Sequence, residues 1–232
     1  MANSALTWLG HAAFRIDTAE GKRIYVDPFL NGNPLCPEGE RHPERVDVIA
    51  LTHGHVDHVG DAVALAQQHR AQIVAMVELK GWLGSQGAPV GEMPGLNKGG
   101  SQEIDGIRYS LVNAFHSSSS PDGAYLGESC GLVIRLEDEK TVYFAGDTCV
   151  FGDMQLIARI HRPDVACLPI GDHFTMGPEE AAVALELLGV ERCVPCHFGT
   201  FPVLAGTPAR LRELARAGVE IVELQPGESL SL

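Results

Sequence analysis

The chain has no apolar run approaching the ~18–20 residues that a membrane-spanning helix requires, so no α-helical membrane anchor is expected. Its first residues, Met-Ala-Asn-Ser-Ala-Leu-Thr-Trp, lack the basic region and apolar core of an export signal, and a cytoplasmic location is expected. Positive charge is scarce: 17 Lys and Arg stand against 30 Asp and Glu, for a formal net charge of −13. A surface of that sign repels nucleic acid and anionic membranes, so neither is expected as a partner. The densest basic stretch, Arg210-Leu211-Arg212 with Arg216, recurs at helical spacing and reads as a solvated helix face. Cysteines are few and scattered, at positions 36, 130, 149, 167, 193 and 196. Cys193 and Cys196 with His197 match a haem-attachment spacing. The surrounding Cys-Val-Pro-Cys reads instead as a buried strand, and all six, Cys149 included, are expected as packed free thiols.

What is present is ordinary in bulk. With 232 residues, 45% hydrophobic and 20% charged, the chain is expected to be a single soluble domain spanning 1–232. The unusual stretch is Thr52-His53-Gly54-His55-Val56-Asp57-His58, directly after the apolar run Val46-Asp47-Val48-Ile49-Ala50-Leu51. Residues two apart point to nearly opposite sides of a helix but to the same face at a strand end. His53 and His55 can therefore grip one ion, while Asp57 and His58 lie further along the turn and can reach a second. Imidazoles with a carboxylate suit Zn²⁺, Mn²⁺, Fe²⁺ or Ni²⁺ and argue against Ca²⁺ or Mg²⁺.

The rest of the chain reads as strands at about 5–9, 13–17, 22–26, 46–51, 72–77, 102–104, 108–115, 131–136, 141–145, 165–170, 192–196 and 219–224, with a short one at the end. Helices are expected at about 60–69, 79–85, 153–160, 178–188 and 207–217, the last opening on a Thr207-Pro208 cap. Residues 30–43, 87–100 and 117–129 read as loops, the last of them polar and outside the core. Two sets of strands, each mixing antiparallel runs with strand–helix–strand units, imply two stacked sheets with helices outside, a four-layer αββα sandwich.

Several strands end in a metal-ligating residue: His116, Asp147 and His197 join the cluster around His53. One ion is assigned His53, His55 and His116, the other Asp57, His58 and His197. Asp147 remains, and a carboxylate can bridge two ions where an imidazole cannot. Two such ions, zinc first and Mn, Fe or Ni as alternatives, can share a hydroxide as nucleophile.

This set of residues resembles the metallo-β-lactamase superfamily. Gly10-His11-Ala12, Asp27-Pro28-Phe29, His116-Ser117-Ser118, Gly146-Asp147-Thr148, Gly171-Asp172-His173 and His197-Phe198-Gly199-Thr200 narrow the resemblance to a branch of small metal-dependent hydrolases similar to ascorbate-6-phosphate lactonases. It runs from about Leu6 to the C-terminus and implies the αββα fold and the ligand roles above. The expected activity is dinuclear hydrolysis of a small ester, lactone or phosphoester by a metal-bridging hydroxide. A phosphodiesterase or nuclease of the same superfamily and a non-catalytic metal-binding module are the alternatives. Asp57 is counted as a catalytic residue as well as a ligand. Asp27 and His11 are expected behind the ligands, hydrogen-bonding them, and His173 as a proton donor to the leaving group or a substrate contact. Asp172 is expected to cap the turn, and His42, His69 and His161 to lie at the surface. The expected partner is a small-molecule substrate, and the composition is compatible with a homo-oligomer.

Overall fold

Alternation of apolar residues with period two builds this molecule, because each strand must cover both faces of its sheet. The computed structural model describes residues 3–232. The first sheet holds β1 (Ala5–Trp8), β2 (Phe14–Asp17), β3 (Arg23–Val26), β4 (Val48–Ala50) and β5 (Gln72–Val74). The second holds β6 (Ser101–Ile104), β7 (Ile107–Asn113), β8 (Cys130–Arg135), β9 (Thr141–Phe144), β10 (Val165–Pro169), β11 (Arg192–Cys196) and β12 (Glu220–Ile221). The last strand, β13 (Ser229–Ser231), returns to the first sheet and pairs antiparallel with β1.

Both sheets are mixed, and in the same way. β1, β2 and β3 run antiparallel and β3, β4 and β5 parallel. β6 to β9 repeat the antiparallel run, and β9 to β12 the parallel one. Parallel strands need crossovers: in the first half α1 (Val56–Val59) and α2 (Ala62–His69) join β4 to β5, a loop joins β3 to β4, and α3 (Val77–Ser85) leads from β5 to the second sheet. In the second half the helices are α4 (Met154–His161), α5 (Pro178–Leu188) and α6 (Pro208–Leu214). Thr207 caps α6 as its sequence suggests, its hydroxyl accepting from Arg210 N at 3.2 Å.

Three apolar layers separate four layers of structure. Ile24 and Val26 face the central layer together with Leu132, Phe144 and Val194 of the other sheet. Tyr25, Ile49 and Leu51 face outward onto Ala62, Leu65, Leu79 and Leu83 of the first helical layer. Tyr143, Ala166 and Leu168 face outward onto Met154, Ile157, Ala181 and Leu185 of the second. That is the αββα sandwich. No helix among the described residues is long and apolar enough to cross a membrane.

Two expectations fail here. The 117–129 loop is not outside the core: Leu126 is buried in the first outer layer, and Ser118, Ser120 and Ser129 are buried with it. Cys149 is exposed, whereas the other five cysteines are buried as free thiols. Polarity misled at the loop because its serines are consumed by hydrogen bonds, some to distant segments, such as Gly54 N to Ser118 Oγ at 3.1 Å. Of the three histidines expected at the surface, His42 is exposed, and His69 and His161 are half-buried.

Candidate metal centre

The ends of β3, β4, β7, β9 and β11 meet at one edge of the sandwich, where the parallel strands of both sheets finish. There the chain leaves strand geometry abruptly. Asp27 and His197, each one residue past a strand, have φ of 46° and 54°, and His11, in the β1–β2 turn, has 54°. Non-glycine residues reach this left-handed region at a cost, and they concentrate at functional sites. Gly146, before Asp147, also has a positive φ of 64°, and a Cβ there would lie 2.8 Å from Cys130 O and 2.9 Å from Thr52 Cβ. The one-turn helix α1 places Asp57 and His58, with His55 as its N-cap.

Asp147 sits at the centre. Its Oδ1 lies 3.2 Å from His58 Nε2. Its Oδ2 lies 3.2 Å from His197 Nε2, 3.6 Å from His116 Nε2 and 4.0 Å from His53 Nε2. His53 Nε2 is 3.0 Å from His55 Nδ1. Asp57 Oδ2 is 3.8 Å from His197 Nε2. Three sets of donor atoms converge, each within 4.8 Å: His53, His55 and His116; His53, His58 and Asp147; and His11, Asp57, His58 and His197. The cluster thus brings together all seven residues expected as ligands. His53, His58, Asp147 and His197 form its buried wall, and His55, Asp57 and His116 its half-buried mouth.

The interior of this cluster is unfinished as a protein core. His58 Nε2, Asp147 Oδ1 and both ring nitrogens of His197 are buried without a hydrogen-bond partner. The 3.2 Å approaches to Asp147 have the length of hydrogen bonds but not their alignment. Buried polar atoms are almost always paired, and unpaired atoms aimed at a common space need a cation. Nitrogen and carboxylate donors of this kind fit a transition metal.

The tautomers are set from behind. Thr52 Oγ1 donates to Asp27 Oδ2 at 2.6 Å and so accepts from His53 Nδ1 at 3.0 Å. Asp27 Oδ2 also accepts from His58 Nδ1 at 2.7 Å, and Oδ1 from Thr52 N at 2.8 Å. Both imidazoles therefore turn Nε2 inward. His11 Nε2 reaches Asp57 Oδ2 at 3.0 Å, and its Nδ1 reaches Thr200 Oγ1 at 2.9 Å. Thr52 and Thr200 carried no expected role, although both stand in the quoted motifs, one beside His53 and one three residues past His197.

Charges follow the same geometry. Burial disfavours charge on His58, but the Asp147 and Asp27 carboxylates outweigh it and raise its pKa well above the imidazole range. Burial opposes the His197 cation too, and Asp147 again prevails, lifting that pKa to about 9. Asp147 is held well below the carboxylate range: burial works against it, and His58 and His197 more than compensate. For Asp57 burial likewise pushes upward, and its contacts with His11 and His197 win. His53, buried beside His58, is pushed down, and burial takes His11 down to about 4. Protons on His58 and His197 hold the place of cations.

His173 does not join the cluster. It is exposed, at a φ of 61°, in the turn after β10, with its ring edge-on to Phe174 at 4.5 Å. Asp172 Oδ1 accepts from His173 N at 2.8 Å and so shapes that turn.

Fold and site together define a metal-dependent hydrolase. The chain belongs to the beta-lactamase superfamily, whose domain family matches residues 22–198. It is 50% identical over 236 residues to a UPF0173 metal-dependent hydrolase of Herpetosiphon aurantiacus, covering 99% of this chain and 98% of that one. Among solved structures it is similar to Igni18, a metallo hydrolase of the hyperthermophilic archaeon Ignicoccus hospitalis, with a TM-score of 0.84, 33% identity, and coverage of 99% and 98%. An isothiocyanate hydrolase from Delia radicum gut bacteria matches with a TM-score of 0.71 and 25% identity, over 97% of this chain and 98% of that one.

Proposed function

We propose that the protein is a dinuclear hydrolase of a small ester, lactone or phosphoester, working in the cytoplasm. The observation that carries the reading is the set of unpartnered buried atoms on His58, Asp147 and His197, ringed by His53, His55, His116 and Asp57. His53, His55 and His116 would hold one ion and Asp57, His58 and His197 the other, with Asp147 between them. Zinc fits this donor set first, and manganese, iron and nickel fit it too. Ions bound there would supply Lewis acidity and activate water near neutral pH.

The chain's own residues do the rest. Asp27 and Thr52 keep His53 and His58 in the ligating tautomer. His11 has both ring nitrogens engaged, by Thr200 and Asp57, which suits it to orienting Asp57 rather than ligating. The buried wall keeps bulk water from one side, and the half-buried mouth leaves the other open to substrate. His173, outside the cluster and free at its ring, is the candidate proton donor to the leaving group. Five buried free thiols support a reducing compartment. Against a nuclease, Arg210 and Arg212 are already paired, with Glu179 and Glu223.

The test is metal analysis joined to a panel of lactones, carboxylic esters, phosphodiesters, thioesters and isothiocyanates. Stoichiometry should approach two ions per chain, and Asp147→Ala should lose much of the second. His173→Ala should keep both ions and slow substrates with poor leaving groups by ~10²-fold or more, sparing those with good ones. A fully active protein with a single ion would end the dinuclear reading.

A further inference from the structure

Beside the mouth of the metal cluster lies a recess of about 330 Å³, at the small end of the roughly 300–1,000 Å³ range of ligand pockets. Its walls come from the two chain segments that also deliver His116 and Asp147. Phe115 directly precedes His116, and Cys149 follows Asp147 by two residues. Thr148 ties these walls together: its Oγ1 accepts from Phe115 N at 3.0 Å and its carbonyl from Met176 N at 3.0 Å. The opposite wall is the turn that carries His173 and Phe174, closed at its far end by the start of α5.

Two features of this recess select a ligand. Phe115 and Phe174 are 56% and 55% exposed, and Phe115 is braced edge-on by Phe151 at 5.2 Å. Large aromatic faces held open to water beside a catalytic centre are binding surface rather than core. The charged groups on the walls are Asp172, Glu179 and Glu180, and no Lys or Arg lines the recess. Each carboxylate is already served, Asp172 by His173 N, Glu179 by Arg210 and Glu180 by Val150 N. Arg210 offsets the charge of Glu179, whereas Asp172 and Glu180 accept only backbone N–H groups and keep theirs, so the recess repels an anion.

We propose that this recess seats the part of the substrate that flanks the scissile bond, and that it accepts a flat, uncharged aromatic group and rejects an anionic one. This rests on the hydrolase reading and narrows it to substrates with no phosphate or carboxylate remote from the reacting bond. Phe174 is then a specificity residue that touches substrate without taking part in the chemistry.

The experiment has two arms, both at pH 8. In the first, binding of benzyl alcohol to the metal-free protein is followed by ligand-observed NMR, with Phe174→Ala as the comparison. Saturable binding that the variant weakens about tenfold or more is expected. Absence of binding, or binding indifferent to Phe174, overturns the proposal. In the second, zinc-loaded protein hydrolyses ethyl acetate, benzyl acetate and 4-(acetoxymethyl)benzoate, the last two sharing a similar leaving group. Benzyl acetate should exceed the other two in kcat/KM by about tenfold or more. Phe174→Ala should erase its advantage over ethyl acetate, while Glu179→Gln should narrow the discrimination against the benzoate. Equal rates on all three esters would refute the recess and leave the hydrolase reading standing. Phe174-dependent binding with no ester hydrolysed would support the recess and count against the hydrolase reading.

Discussion

Asp27 ligates nothing in the assignment above, yet three hydrogen bonds end on its two oxygens, from Thr52 N, Thr52 Oγ1 and His58 Nδ1. Replacing one oxygen by an amide sets N–H against N–H or O–H and releases the ring of His58. Asp27→Asn should therefore lose about 10–100-fold in metal affinity with the fold intact, measured by competition with a chelator; unchanged affinity would mean that Asp27 only caps its strand. The protons on the ligands yield a second outcome. Asp147 overrides the effect of burial and pushes the pKa of His197 up to about 9, and His58 is raised in the same way. A ligating imidazole must carry no excess proton, so metal uptake near neutral pH has to expel these protons, and affinity should climb with pH until His197 and His58 are both neutral. Calorimetry in buffers of differing ionisation enthalpy at pH 7.5 should find about one proton or more released per chain. No release would contradict the charges assigned here. The histidine-rich turn was legible as a candidate metal site because four residues of ligating type sit within six positions. Thr52 and Thr200 were not, since a hydroxyl acquires its role only from what the fold places beside it.

At the scale of elements, the site depends on how closely strand ends can approach. Where β10 and β11 finish, a Cβ on Gly171 would fall 2.0 Å from His197 O, so only glycine lets the two backbones meet. Gly171→Ala should push the His197 segment away, costing about 1–3 kcal/mol of stability and weakening metal binding. Gly152→Ala, which meets nothing within 4 Å, should do neither. Denaturant midpoints and metal titration of the two variants check this. Strands and helices were readable within a few residues of their ends, because alternation and capping are local signals; the one-turn α1, read as part of the metal turn, was not. The 117–129 loop was not: nothing in its serines shows that Leu126 covers Gly54, where an added Cβ would lie 2.5 Å from the leucine.

Over the whole molecule, two half-chains with the same order of antiparallel and parallel strands bring their ligand-bearing ends to one edge. Antiparallel hairpins alone would scatter those ends over both edges, whereas the parallel strands β3, β4, β9, β10 and β11 all finish on the same side. By itself the sequence determined the sandwich class, most of the element order and the set of candidate metal-ligating side chains, since period-two burial and donor chemistry are properties of short stretches. Only the tertiary structure decided that His11 meets Asp57 across 46 positions, that Asp147 lies between His58 and His197, and that Phe115 and Phe174 frame one recess. Those contacts arise from stacking two sheets and from left-handed turns at His11, Asp27 and His197, where the chain trades local preference for convergence on one cluster of donor atoms.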